Sequence, residues 1–325
     1  SDGVFNEGDY LLFYGKGTNR WIFDNSTGDF DYLRHNYSDT AFYFITSGPV
    51  QGKKIGPADG SRLQPNYFSA VSDALYIHEM ETENLIHSGR EWYQPVSYSK
   101  DAEVNPGYKD IVTADKIKYT IRVLARASVS TLFRLTENGS VIATVPVNGI
   151  NLASTTGTYA QAELAEGEFI PSSSQPAYKV SFVNNGEISA KGWIDYVKLH
   201  ARKLNKFEGK TASFTDSKSV GNGNVTEFTI TSSAAGTIIW DVTDPFTPKT
   251  IQFARTGENI TFKTATDTLK TFIAFISSNA KTPVIRSTAL PNQDLHSSST
   301  ADMIIVTHPL FIRYAGRLAE IHKKN

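Results

Sequence analysis

Apolar and polar positions alternate in short runs along most of the chain, and the runs end in Gly, Asn, Asp or Pro. A period of two sends successive side chains to opposite faces of a strand, and the β-branched and aromatic residues filling these runs suit a pleated surface. The clearest early runs are DYLLFYG (9–15), TAFYFIT (40–46) and DALYIHEM (73–80). KIKYTIRVLARA (116–127) and STLFRLTENGSVIATVPV (130–147) follow, the latter broken by Asn138-Gly139. That pair tolerates positive φ at both positions and predicts a tight hairpin. A second hairpin is expected where AYKVSFV (177–183) meets ISAKGWIDYVKLHARK (188–203) across Asn184-Asn185-Gly186.

A polar stretch at 205–224 separates this block from another group of short runs. These are VTEFTITS (225–232), GTIIWDVT (236–243), KTIQFAR (249–255), NITFKTA (259–265) and TLKTFIAFIS (268–277). The fold class predicted is mainly β. Two consecutive antiparallel β-sandwich or jelly-roll-like domains occupy 1–205 and 206–290, and a polar linker covers 291–300.

Residues 301–325 follow a different pattern. Met303–Val306 is a continuous apolar run, as in a strand covered on both faces. Pro309 suits the first turn of a helix, and Phe311, Tyr314, Ala315, Leu318 and Ile321 or His322 form an apolar stripe at helical spacing. The expectation is the first strand and helix of a truncated α/β unit whose return strand lies outside the chain.

Within GWIDYVKLHARKL, alternation groups Trp193, Asp195, Val197, Leu199 and Ala201 on the expected core face. Asp195 is the odd member. A partnered carboxylate or a bulge that turns it outward is the expected resolution.

Composition narrows the functional classes. The 32 basic residues nearly balance the 33 acidic ones, for a formal charge of -1, so no general field favours nucleic acid or an anionic membrane. No apolar run reaches the roughly 18 residues of a spanning helix. The chain holds no cysteine, which excludes disulfides, thiolate metal sites and a cysteine nucleophile among these residues. Abundant Tyr and Phe with only 2 Met, amid many Ser, Thr and Asn, lean toward an exported β-protein.

No catalytic, cofactor-binding or metal residue can be assigned from pattern, and no cofactor is expected. His35, His78, His87, His200, His296, His308 and His322 are scattered, without spacing that would hold zinc. Asp2, Asn6, Glu7 and Asp9 gather oxygen ligands around two glycines, which suits either calcium or a plain turn closed by its own side chains. Arg90, Trp92 and Tyr93 in SGREWYQP form the densest short motif. An exposed aromatic beside Arg could stack on a sugar or a peptide, and an Arg over a core-plugging Trp is the bland equivalent.

Several segments together carry a resemblance. DGVFNEGDYLLFYGKG, NYSDTAFYFIT, NLIHSGREWYQ, GWIDYVKLHARKL, GTIIWDVTDP and ADMIIVTHPLFIRYAGRLAEIHKK resemble, in order, segments of the gingipain-like cysteine peptidases of Bacteroidetes. The likeness is strongest to the type IX secretion sortase and spans nearly the whole chain. It implies that the chain is trimmed at both ends and precedes a caspase-like α/β domain whose catalytic His and Cys lie beyond it. His308 is not one of them, and the chain itself is expected to be inactive. For the longer protein the resemblance implies cleavage of C-terminal sorting domains from exported cargo and attachment of that cargo at the cell surface. The implied location is exported, at the cell surface, the outer membrane or outside the cell. The implied partners are the protein's own catalytic domain, cargo sorting domains and secretion components. The alternative function is a carbohydrate- or cargo-binding β-sandwich module.

Overall fold

The computed structural model describes residues 6–323 apart from 47, 50–51, 59, 61–63, 88–90, 288–289, 291–293, 295–296 and 298–299. It divides into two units, Ser1–Ala280 and Lys281–Asn325.

The larger unit contains two β-sandwiches. In the first, a 4-stranded sheet runs Ser140–Val147, Thr131–Glu137, Tyr178–Val183, Ala102–Val104. Facing it is a 5-stranded sheet of Gln161–Phe169, Ile117–Arg126, Lys191–Leu204 and Val71–His78, with Gln94–Val96 also paired to Lys191–Leu204. Alternate residues of both sheets enter one core, among them Ile117, Ile121 and Val123 from one side and Phe133, Leu135 and Phe182 from the other. Such two-sided burial is the main driving force for closing the sandwich.

The hairpin predicted at Asn138-Gly139 is present, with φ of 48° and 86° at the two turn residues. The second expected hairpin is not. Asn185 and Gly186 do turn the chain, but Tyr178–Val183 and Lys191–Leu204 lie in opposite sheets. Residues 184–190 instead cross the roughly 10 Å between packed sheets. The crossing is anchored at Glu187, whose carboxylate accepts from the Ser128 and Val129 amides at 2.8 and 3.2 Å.

The second sandwich pairs a 5-stranded sheet (Ala212–Thr215, Thr271–Phe275, Ile238–Asp241, Lys249–Thr250, Gly56–Pro57) with a 4-stranded one (Ala254–Thr256, Asn259–Ala265, Val225–Thr231, Tyr67–Ser69). Its core is built on Phe228, Phe262 and Phe272, with ring centroids 4.9 to 5.4 Å apart. Gly56–Pro57 and Tyr67–Ser69 precede the first sandwich in sequence yet join the second by parallel pairing.

The runs at 9–15 and 40–46 were expected as strands and form none. Alternation marks an amphipathic face but supplies no partner, and no ladder receives these segments among the described residues. A side chain ties them together: the Tyr43 hydroxyl donates to the Lys16 carbonyl at 2.7 Å and accepts from the Lys16 amide. Leu12 and Tyr14 pack against Trp240, Val242 and Phe275 at the second sandwich.

In the smaller unit, Pro309–Phe311 forms a 3-10 turn leading into the helix Ile312–His322. His308 caps the turn by accepting from the Leu310 amide at 3.3 Å. The strand expected at 303–306 is not formed. A lone strand leaves its ladder groups unpaired, and Ile304 and Val306 are exposed. The helical stripe of Phe311, Tyr314, Leu318 and Ile321 is also exposed.

One close approach fixes the first core. A Cβ on Gly192 would lie 2.7 Å from the Phe182 ring and 2.9 Å from that of Phe133, two rings already 4.8 Å apart. Gly192→Val is therefore expected to cost about 1–3 kcal/mol through overpacking. A urea midpoint equal to that of the parent would show that the rings have room to yield.

Candidate functional site

Each residue singled out by sequence has a definite place. Near the start, the Asn6 amide donates to Asp9 Oδ2 at 2.7 Å and the Asp9 amide returns a bond to the Asn6 carbonyl at 3.0 Å. Asp9 thus closes its own turn. Asp2 lies outside the described residues, and Glu7 is exposed. Among the described residues no group of three or more His, Cys, Asp or Glu is placed to hold a metal ion.

In the SGREWYQP motif, Arg90 lies outside the described residues, Trp92 is 41% exposed and Tyr93 is buried. Tyr93 packs with Leu124 and Trp193 and donates its hydroxyl to Glu91 at 2.6 Å. Burial and then the Glu91 carboxylate push its phenol upward, so it stays protonated. The Trp193 indole N–H donates to Glu83 at 2.9 Å. Tyr93 is thus a packing residue, and Trp92 is left without it as a stacking partner.

The face assignment around Asp195 changes. A register shift between Ile194 and Tyr196 marks a bulge opposite Ile117–Arg126. Ile194, not Trp193, therefore shares the main core with Val197, Leu199 and Ala201, while Trp193 joins the Tyr93 cluster on the other side. The extra residue reverses the alternation. Asp195 is turned toward Arg122 and pairs with it. Burial is the larger effect on its carboxyl and raises it, and the guanidinium only partly offsets that.

A buried ionic node joins the two sandwiches. Arg202, on the outer face of its strand, donates to Asp73 at 2.6 Å and to Asp216 at 2.5 Å. Asp73 also accepts from His200 Nε2 at 2.8 Å, the Ser217 amide at 2.7 Å and the Ser217 hydroxyl at 2.9 Å. Asp216 caps the 3-10 turn Ser217–Ser219 and accepts from the Ser69 hydroxyl at 2.6 Å. Burial alone raises the Asp73 carboxyl; the hydrogen bond from His200 and the charge of Arg202 outweigh it and hold it below the ordinary carboxylate value. This is a structural cluster with every carboxylate oxygen engaged.

His200 links that node to a cleft. Strand pairing sets Glu166, Thr120 and Lys198 in one row across the outer face of the 5-stranded sheet, and Glu168, Lys118 and His200 in the next. Over this polar grid lies a hairpin that the sequence reading missed, Arg20–Asp24 paired with Asp29–Leu33. Its inner face is aromatic: Trp21 meets Tyr32 and Phe23 meets Phe30, each pair 5.0 Å between centroids. Its acids reach the sheet, Asp29 to Lys118 and Asp31 to Lys198 at 3.4 Å. Phe30 stands edge-on to His200 at 5.3 Å. Between hairpin and grid is a cleft of about 350 Å³ with Trp21, Phe30 and Tyr119 beside Thr120, Glu166 and Lys198. Lys116 pairs with Glu168, so Glu166 is the carboxylate at the cleft without an ion pair among the described residues. It accepts from Thr120 Oγ1 at 3.2 Å. The signal for this hairpin was present in RWIFDNSTGDFDYL, where aromatics alternate on both sides of a Ser-Thr-Gly turn.

Comparison with known proteins places the fold. No protein-family model and no curated protein matches the chain. Among solved structures, dimeric latent PorU from Porphyromonas gingivalis matches with a TM-score of 0.74 over 96% of this chain, at 18% identity. The chain spans 30% of that PorU chain. It has the mainly β fold of that portion. The insecticidal delta-endotoxin Cry8Ea1 from Bacillus thuringiensis (TM-score 0.21, 19% identity) covers 26% of this chain and 16% of its own. A Paenibacillus cycloisomaltooligosaccharide glucanotransferase complexed with cycloisomaltoheptaose (TM-score 0.18, 6% identity) covers 68% and 46%. Neither shares enough of the fold to carry an argument.

The ionic node yields a direct expectation. Arg202→Met strands two buried carboxylates and is expected to cost about 3–5 kcal/mol, read from a denaturant midpoint. Asp73 titrates below its unfolded value. The stability it contributes is therefore present above about pH 4 and is lost as pH falls through the depressed folded value. The parent protein is expected to lose thermal midpoint steeply below pH 4, and Arg202→Met to show a flatter profile. Parallel profiles would show that Arg202 does not set the Asp73 titration.

Proposed function

We propose that this chain is the non-catalytic β-region of a gingipain-like cysteine peptidase. The longer protein is of the kind that, in type IX secretion, cleaves C-terminal sorting domains from exported cargo and attaches the cargo to the cell surface. The observation that carries this reading is the fold likeness to PorU over 96% of the chain. Segments resembling the gingipain-like peptidases run in order along the same residues, and we read the two likenesses as one relationship. The chain spans 30% of PorU and contains no cysteine, so the thiol chemistry belongs to another part of the longer protein.

On this reading the two β-sandwiches, the second completed by Gly56–Pro57 and Tyr67–Ser69, scaffold the catalytic domain, their principal partner. Cargo sorting domains and secretion components are further partners. The location is exported, at the cell surface, the outer membrane or outside the cell. Among the described residues no helix is long and apolar enough to cross a membrane. The exposed stripe of Phe311, Tyr314, Leu318 and Ile321 fits a helix that packs within the catalytic domain.

Two measurements test the proposal. The genomic reading frame is expected to continue past Asn325 into an α/β domain carrying a His and then a Cys; a stop codon immediately after Asn325 would overturn it. The purified chain, incubated with a type IX C-terminal sorting domain, is expected to leave it intact. Specific cleavage by the cysteine-free chain would remove the non-catalytic assignment.

A further inference from the structure

We propose that the cleft beneath the hairpin 20–33 binds a neutral sugar ring of an oligosaccharide. The inference stands apart from the peptidase reading and rests on how the cleft is built. One wall is aromatic, with Trp21 and Phe30 both half-buried, and the other is a row of hydrogen-bonding groups on the sheet. Glu166 and Lys198 flank Thr120 on adjacent strands, so their backbones stand about 10 Å apart. A pyranose presents a C–H face that stacks on an indole or phenyl ring, and a rim of hydroxyls that both donate and accept. Its hydroxyls can donate to Glu166, the carboxylate without an ion pair, and accept from the Lys198 ammonium. The cleft, about 350 Å³, falls at the small end of known ligand sites, which suits one ring of a longer glycan with its neighbours outside.

Other ligand classes fit less well. An anion such as phosphate would face Glu166, whose carboxylate has no ion-pair partner among the described residues. A metal ion lacks a ligand set and would face Lys118 and Lys198. A wholly apolar molecule would bury the charged floor without replacing its water. Most of the floor offers an extended peptide no open ladder, because Lys118, Thr120, Lys198 and His200 lie on strands paired on both sides; of the floor's strands only the edge strand Gln161–Phe169 has a free side among the described residues.

The hairpin is held in part by surface ion pairs, Lys118 with Asp29, both about half exposed, and Lys198, mostly covered, with the exposed Asp31. Such pairs contribute little each. Just past the hairpin Arg34 donates to Glu79 at 3.0 Å, and Phe30 packs edge-on against His200, so a ring entering beneath the hairpin exchanges weak contacts for stacking. Trp21 is the stacking residue of the site and Glu166 its principal acceptor.

The test uses the whole chain and four neutral trisaccharides as probes: maltotriose, cellotriose, chitotriose and mannotriose. Saturation-transfer NMR is expected to show binding of at least one, with the Kd then measured by calorimetry. Trp21→Ala and Glu166→Gln are each expected to weaken that Kd at least tenfold, and Phe246→Ala, an exposed residue outside those that line the cleft, to leave it unchanged. Circular dichroism and the thermal midpoint report whether each variant is folded. Binding of none of the four sugars would overturn the inference, as would sugar binding indifferent to Glu166→Gln in a folded variant, or binding of inorganic phosphate in place of sugar.

Discussion

The structure of the larger unit turns on one guanidinium. Arg202 is buried between Asp73 on a strand of the first sandwich and Asp216 just past a strand of the second. Charges so placed lose their hydration, and they are tolerated only because each has geometrically fixed partners. The node therefore specifies position more than it adds stability. It holds the turn at 217–219, the end of the strand at Ser69 and the ring of His200 in one arrangement. Through His200 it also sets the floor against which Phe30 and the hairpin rest.

The 5-stranded sheet of the first sandwich carries two surfaces with separate duties. Its inner residues, Ile117, Ile121, Val123, Val197 and Leu199, are fully or almost fully buried and close the core. Its outer residues beneath the hairpin are mostly polar or charged and are organised by strand register into rows. The bulge at 194–196 is where these duties would conflict, since Asp195 in strict alternation would fall among the core residues. Adding one residue sends the carboxylate to Arg122 and Ile194 into the core, and the price is a cluster of its own for Trp193.

Sequence reading succeeded where the signal is local. The long alternating runs of 116–147 and most of those in 225–277 became strands because their turns, Asn138-Gly139 above all, encode the reversal within a few residues; 249–255 instead splits between the two sheets of the second sandwich. It failed where the outcome depends on partners distant in sequence. The runs at 9–15 and 40–46 look as strand-like as any, yet no sheet edge meets them among the described residues. Asp73, Arg202 and Asp216 carry no shared motif, since only folding brings them together. The emphasis on Trp92 and Tyr93 followed the density of aromatics in a short motif. The cleft instead draws Trp21 and Phe30 from one hairpin and Glu166 and Lys198 from two remote strands, a combination with no linear trace. The resemblance to gingipain-like peptidases, which reads the order of many weak segments at once, anticipated the fold better than any single pattern.

After Tyr67–Ser69 the chain leaves for the first sandwich and later returns, and these two passages touch: the Asn205 amide donates to the Ala70 carbonyl at 2.8 Å. Residues 71–204 therefore leave and return at neighbouring points, while strands on both sides of them complete the other sandwich. The arrangement is that of a guest seated in a host. For the host, Tyr67–Ser69 must wait for Val225–Thr231 to be synthesised before it can pair, and the guest, whose ends are already together, can fold in the meantime. The same closeness of the ends means that the guest can be exchanged for another compact module during evolution without rerouting the host. A protein built this way can change its inserted module while keeping the frame that carries it.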